Sequence, residues 1–171
     1  RLRAGAVVVK RGQGGRLRHI EVIEASHPVP DAERLRGGER LLALAAQAQP
    51  DDLVLAVVTG GSSALAIAPA EGLTLEDKIT TNRLLLASGL DIVRINDVRK
   101  HLSRLKGGRL AAACGCEIVN LTVSDVVGDP PDYFTDLTAA DRSTFADAAA
   151  ACDAAGLWDR LPPAVVAHLR R

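Results

Sequence analysis

The chain has 171 residues, 47% of them hydrophobic but only 2% aromatic, so its core has to be assembled from Ala, Val, Leu and Ile, as closely packed helices and buried parallel strands are. Twenty-one basic residues balance twenty-one acidic ones, which leaves no global field to draw the chain to nucleic acid or a membrane surface, and no apolar run is long enough to span a bilayer. Any anion site must be local.

Gly5 to Lys10 and His19 to Ala25 read as strands, with glycines at 12, 14 and 15 supplying a turn between them. Asp31 can cap a helix running to about Gln49, with Leu35, Leu42 and Ala45 on its apolar face; Gly37 and Gly38 weaken it by about 1 kcal/mol each relative to alanine. Beyond the turn at Pro50, Asp51 and Asp52, the apolar run Leu53 to Val58 reads as a strand covered on both faces, leading directly into Thr59, Gly60, Gly61, Ser62 and Ser63. Thr74 and Asp77 have capping-box spacing and open a helix that Gly89 ends.

Asn96 is the expected cap of the next helix. On it Val98, Leu102 and Leu105 form an apolar stripe, and Arg99, Ser103 and Lys106 a polar stripe apart from it. Gly107 and Gly108 break this helix, and Arg109 to Ala113 restart it. Glu117 to Ser124 is a further strand, followed by the loop Asp125 to Asp132; Ser143 caps an alanine-rich helix to about Ala155, and Pro162 and Pro163 suit the first turn of a last one. Strands alternating with helices, without repeats or a low-complexity linker, predict a layered α/β domain with a mainly parallel sheet. Ligands in such sheets gather at the carboxyl ends of strands, here after Val58 and after Val123.

Cys114, Cys116 and Cys152 form no C-x-x-C pair and the histidines at 19, 27, 101 and 168 are scattered, so a zinc site is not indicated. An odd number of thiols without a signal peptide suits a reducing cytoplasm, with the cysteines as small buried hydrophobes. A chain that opens on Arg1 and contains no methionine reads as an excerpt from a longer protein.

Three stretches carry chemistry. Gly60, Gly61, Ser62 and Ser63 set two glycines and two hydroxyls at a strand end, where backbone N–H groups can approach a phosphate or carboxylate; the competing reading is a tight strand-to-helix turn. Arg99, Lys100, His101, Arg104, Lys106 and Arg109 concentrate positive charge beside a glycine pair, which suits an anion, against the ordinary alternative of a solvated helix face. Ser124, Asp125 and Asp129 follow a strand, where carboxylates can hold Mg²⁺ or accept a proton from a substrate hydroxyl, although loop aspartates more often cap turns. Other patterns fail on their context. There is no Walker A loop, Ser103 to Lys106 spells S-x-x-K without a K-T-G, Gly60 to Ala64 approximates G-x-S-x-G without a triad partner, and Gly12 and Gly14 lead into a strand, so no dinucleotide fingerprint exists.

Taken in order, HPVPD at 27–31, TGGSSAL at 59–65, NDVRKHLSRLKGGRLA at 96–111 and SDVVGD at 124–129 resemble the glycerate 2-kinase family, and the tail around Ser143, Thr144, Phe145, Gly156 and Leu157 fits it too. The resemblance implies a Rossmann-like first domain, of which residues 1–171 are the inner part, a smaller second domain often called MOFRL, and an active site in the cleft between them. The start of the first domain, with its lysine in a glycine-containing motif, and the whole second domain are absent. ATP, Mg²⁺ and D-glycerate are implied as well, with 2-phosphoglycerate as product; a homo-oligomer is left open. Where the family usually has Ser-Gly-Pro-Thr after its second aspartate, this chain has Thr135, Asp136, Leu137 and Thr138, which changes the backbone allowed there.

The expected site follows from these motifs. Arg99, Lys106 and Asp125 are its catalytic residues, Gly60, Gly61, Ser62, Ser63, Lys100, Ser103, Gly107 and Gly108 bind substrate and phosphate, and Asp125 and Asp129 hold the metal. Phosphoryl transfer needs mostly positioning and neutralisation of charge on the phosphoryl oxygens, which is the reason to gather cations and a metal carboxylate around glycines. Two rival readings are a hydroxypyruvate reductase-type oxidoreductase and a non-catalytic ligand-binding or interaction domain.

Overall fold

Short polar side chains fix most of the element ends. In the computed structural model, which describes residues 2–26, 31–59, 61–123 and 137–171, the order is β1 (Ala6–Lys10), β2 (Glu21–Ala25), α1 (Ala32–Gln47), β3 (Leu53–Thr59), α2 (Ser62–Leu65), α3 (Leu75–Leu86), α4 (Ile92–His101), α5 (Arg109–Ala112), β4 (Glu117–Val123), α6 (Phe145–Ala154) and α7 (Pro163–Leu169). Asp31 caps α1 by accepting the Arg34 N–H at 3.2 Å. The Thr74–Asp77 box closes in both directions, at 2.8 Å and 3.1 Å.

Two expected caps are displaced. Asp91, not Asn96, caps α4 by accepting the Arg94 N–H at 3.0 Å, so Asn96 is buried in mid-helix. The carboxylate at 91 offers the same acceptor a turn earlier and places Ile92 and Ile95 inside the helix. Similarly Thr144, rather than Ser143, caps α6 in a box with Asp147. Helix α4 also stops at His101, so Ser103 and Lys106 lie beyond it instead of along its flank.

Both strand pairs are parallel, as the alternating pattern predicts. β1 runs beside β2 from Ala6↔Glu21 to Lys10↔Ala25, and β3 beside β4 from Leu53↔Glu117 to Thr59↔Val123. Residues 11–20 return the chain from β1 to β2 without a helix, so the glycines there serve a crossover and not a hairpin. The expectation that β3 is covered on both faces does not hold among the described residues. Leu53, Leu55 and Val57 are 63%, 60% and 64% exposed, and Val119, Leu121 and Val123 of β4 share their open face. An apolar run reports a strand's composition but not which element covers it.

The core forms two clusters. One joins Leu85, Ile95, Val98, Leu102, Cys152, Leu157, Val165 and Leu169 from α3, α4, α6 and α7; the other joins Ala45, Ala66, Ala68, Leu105, Leu110 and Leu137 beside α1 and α5. Small side chains let backbones approach: a Cβ on Gly38 of α1 would stand 2.2 Å from the Ile67 carbonyl oxygen, so the glycine counted as a helix weakness is what permits the contact. Cys152 is a buried hydrophobe as expected, its thiol pushed up to about 11 by burial and by Asp153. Cys114 and Cys116 are only partly buried, with their sulfurs 3.4 Å apart. Among the described residues no helix is long and apolar enough to cross a membrane.

Candidate functional site

Helix α3 carries Leu75, Lys78, Ile79, Asn82 and Leu85 at helical spacing, so a lysine and an amide sit on its apolar face. That face meets Arg99 and Leu102 at the end of α4, Lys106 beyond it, and Arg34 of α1; together with Ala64 of α2 and Ile67 they enclose a cavity of ≈ 160 Å³. Most of the wall is apolar. Its polar groups are cations, an amide and one hydroxyl, with no carboxylate among the described lining residues.

The cations hold one another in a strained electrostatic balance. Lys78 donates to the Leu102 carbonyl oxygen at 2.8 Å, and burial, with Arg99 and Arg109 nearby, brings its amine down to about 7. Lys106 is 7% exposed; burial first, then Lys78 and Arg99, hold its amine well below the ordinary lysine value. Arg99 donates to Asn82 Oδ1 at 2.7 Å, and burial lowers its guanidinium. Arg34, 3% exposed, donates to the Ser26 carbonyl at 2.6 Å. Arg109 closes the turn by donating to the Lys100 and Lys106 carbonyls, both at 2.8 Å. Thr81 is 1% exposed, lines the cavity, and its Oγ1 has no hydrogen-bond partner among the described residues. A cavity lined by basic groups and an orphan hydroxyl is chemically suited to a small anion bearing a hydroxyl or phosphoryl oxygen.

The structure thus brings Arg99 and Lys106 to one cavity, but corrects the expectation that Lys106 lies on a polar surface stripe. The chain turns after His101 and folds its side chain inward. Lys100 goes elsewhere. Its Nζ pairs with Asp141 at 2.7 Å and Asp97 at 3.2 Å, contacts that outweigh burial and keep its amine above the ordinary value. Ser103 Oγ accepts the N–H groups of Leu105 and Lys106 at 3.1 and 3.2 Å, so it shapes the turn that aims Lys106. Gly107 and Gly108 have φ of 66° and 75°; a Cβ on Gly108 would meet the Ala139 carbonyl oxygen at 2.9 Å, and one on Gly107 the Asp141 Cβ at 2.9 Å. The pair therefore packs against the segment before α6.

At the strand end, Gly61 adopts φ 81° and opens α2, with open space where a Cβ would stand. Ser62 Oγ accepts the Thr59 N–H at 2.9 Å and donates to the Thr59 carbonyl, which is the tight-turn reading; Ala64 two residues on reaches the cavity. Gly60, Asp125, Asp129 and the Ser63 side chain lie outside the described residues. Lys78, Thr81, Asn82 and Arg34 were missed by the motif reading, and the signal available for Lys78 was its place on the apolar face of α3.

Fold and cavity define an α/β protein of parallel strand pairs with a cavity lined by basic side chains. The chain belongs to the family described as a domain of unknown function, DUF4147, whose model matches residues 1–170. It is 40% identical over 168 residues to a glycerate 2-kinase of Pyrococcus horikoshii, covering 98% of this chain and 38% of that one. It is 46% identical over 149 residues to a protein of Agrobacterium vitis named a putative hydroxypyruvate reductase, covering 86% of this chain and 34% of the relative. The crystal structure of a glycerate kinase from Thermotoga maritima superposes with a TM-score of 0.89 at 38% identity, over 98% of this chain and 41% of that one. The chain thus spans well under half the length of these relatives.

Proposed function

We propose that this chain is the inner part of the first domain of an ATP-dependent kinase that phosphorylates D-glycerate, with 2-phosphoglycerate as product. The observation that carries the reading is the convergence of Lys78, Arg99 and Lys106 on one enclosed cavity beside the orphan Thr81 hydroxyl. Its relatives' names supply the substrate. Arg99 and Lys106 neutralise anionic oxygens, and Asn82 holds Arg99 in orientation. Lys100, Ser103, Gly107 and Gly108 act by building the turn that presents Lys106, while Gly61 and Ser62 shape the turn into α2 beside the cavity. Mg²⁺ is assigned to Asp125 or Asp129, whose carboxylate oxygens are donors that suit a hard cation. When bound, Mg²⁺ with ATP supplies the activated phosphoryl group. Three free thiols support a cytoplasmic setting.

A coupled ADP-release assay on a full-length protein carrying this sequence tests the reading, with the product identified by NMR. ADP release that depends on D-glycerate, with phosphate on the 2-hydroxyl, is expected; release indifferent to D-glycerate overturns it. The 171-residue chain alone, run at equal concentration, is expected to be inactive because one wall does not align both substrates or exclude water. A second reading, hydroxypyruvate reduction, is favoured by the name of the Agrobacterium relative. Against it, the Gly12 to Gly15 loop leads to β2 and offers no helix N-terminus to a pyrophosphate. Hydroxypyruvate-dependent loss of nicotinamide absorbance would establish it.

A further inference from the structure

Lys78 is not part of any motif, yet it is the residue on which the cavity's electrostatics turn. It is half-buried overall, with its amine directed inward to the Leu102 carbonyl, the C-terminal cap of α4. Facing it are Arg99 from α4, Lys106 from the following turn, Arg109 from α5 and Arg34 from α1, all basic side chains. Leu102's carbonyl accepts a second donor, the Ala70 N–H at 3.0 Å. Consequently the amine can leave that oxygen without orphaning it. Thr81, one helical turn along α3 from Lys78, offers the cavity an unsatisfied buried hydroxyl.

We propose that Lys78 is an anion-binding residue with two acceptors: in the empty cavity it caps α4 through Leu102, and when an anion enters it turns to that anion as a full ammonium, so the cavity takes up its ligand and a proton together. The proton comes from solvent, and no bond other than N–H is formed. This deepens the proposed function, on which the choice of D-glycerate as ligand rests. Physically, the guanidinium groups of Arg99, Arg109 and Arg34 oppose a further charge on Lys78, as that of Arg99 does on Lys106, until an anion offsets them, and burial sharpens the opposition. The amine near 7 in the empty cavity is consistent with that competition. Above that value, linkage makes anion affinity fall about tenfold per pH unit.

The test uses ¹³C-lysine labelling of a full-length protein carrying this sequence, to which this chain contributes Lys10, Lys78, Lys100 and Lys106. The Lys78 Cε signal, assigned by its loss in Lys78→Met, is titrated from acid to base with and without millimolar D-glycerate. The expected result is a midpoint that rises by about one unit or more with D-glycerate, corresponding to a tenfold or larger coupling. Lys78→Met is expected to bind D-glycerate about tenfold more weakly or worse and to lose the part of the pH dependence that follows the Lys78 midpoint, leaving that of Lys106, while Lys78→Arg, permanently charged, restores affinity but not that part. A mere capping role would leave the midpoint unmoved by D-glycerate, and that result overturns the proposal, as does absence of any D-glycerate effect on the lysines. The kinase reading fails separately, through ADP release indifferent to D-glycerate in the full-length protein.

Discussion

Gly108→Ala isolates what the glycine pair does. With φ of 75°, Gly108 occupies the left-handed region, where an alanine costs about 1–2 kcal/mol. In addition, the new Cβ would stand 2.9 Å from the Ala139 carbonyl oxygen and 3.1 Å from both the Ala139 carbonyl carbon and the Ala140 Cα. These are backbone atoms that cannot rotate away, so overpacking adds about 1–3 kcal/mol. Reduced freedom of the unfolded chain returns about 0.4–1 kcal/mol, leaving a net loss of about 2–4 kcal/mol. The matched control is Gly72→Ala, with φ of 80° and nothing within 4 Å of the new Cβ, for which only the conformational term applies, about 1 kcal/mol or less net. Urea unfolding of both variants beside the parent measures the difference, expected at about 2 kcal/mol, or a melting temperature lower by about 4–8 °C for a chain of this size. If Gly108→Ala is no worse than Gly72→Ala, the turn does not press against residues 139–140 and the packing account of the glycine pair is wrong.

Asp141→Asn is expected to destabilise by about 2–4 kcal/mol in urea unfolding, since it removes one of two carboxylates from the buried Lys100. Burial would raise the Asp141 carboxyl, but Lys100 and Ser143 hold it below the ordinary value; its stabilising contribution is therefore complete above about pH 4 and lost as pH falls through the depressed folded value, a slope that Asp141→Asn should abolish. Lys78 acts with the same sign in a higher pH window. Between about 7 and 10.5 the unfolded chain holds a proton that the native cavity does not, so stability should rise with pH there relative to Lys78→Met, by less than about 1.4 kcal/mol per unit because the side chain is partly exposed and screened. Thr74→Ala should lower stability by about 1 kcal/mol through loss of the capping box, whereas Leu55→Thr on the open sheet face should change it by less than about 0.5 kcal/mol, both read by thermal melts of the 171-residue chain.

Local patterns were legible wherever local chemistry decides. The strands at 6–10, 21–25, 53–59 and 117–123, the Asp31 cap, the Thr74–Asp77 box and the Pro163 start of α7 all follow from neighbours within one turn. Asn96 misled because its amide is a fair cap in isolation, while Asp91 competes for the same N-terminus and wins by carrying Ile95 inward and letting Asn96 itself be buried in mid-helix. The polar stripe failed for a related reason: extending α4 to Lys106 assumes a helix that ends at His101, and beyond that point spacing no longer says where a side chain goes. Of the candidate site, Arg99 and Lys106 were readable from charge clustering. Lys78 was not, because its partners come from α1, α4 and α5, and only its position between Leu75 and Ile79 marks it as turned inward.

The cavity lies where the two hydrophobic clusters meet without merging, with Leu85 and Leu102 of one cluster and the segment around Ile67 of the other on its walls. Two backbone bonds stitch that seam: Ala70 N–H to the Leu102 carbonyl at 3.0 Å, and Arg104 N–H to the Ala68 carbonyl at 2.9 Å. Arg104 Nε to the Pro69 carbonyl at 2.9 Å and Ser103 Oγ to the Ala68 carbonyl at 3.4 Å cross it as well, and because each cluster keeps its own interior the seam can part at these bonds while both clusters stay packed. Amide exchange at Ala70 and Arg104 then becomes a clock for that breathing, faster than exchange in the interiors of α4 and α6. If Lys78 and Lys106 hold an anion between them as proposed, it would slow the clock, and ligand occupancy would become visible as a change in local tempo.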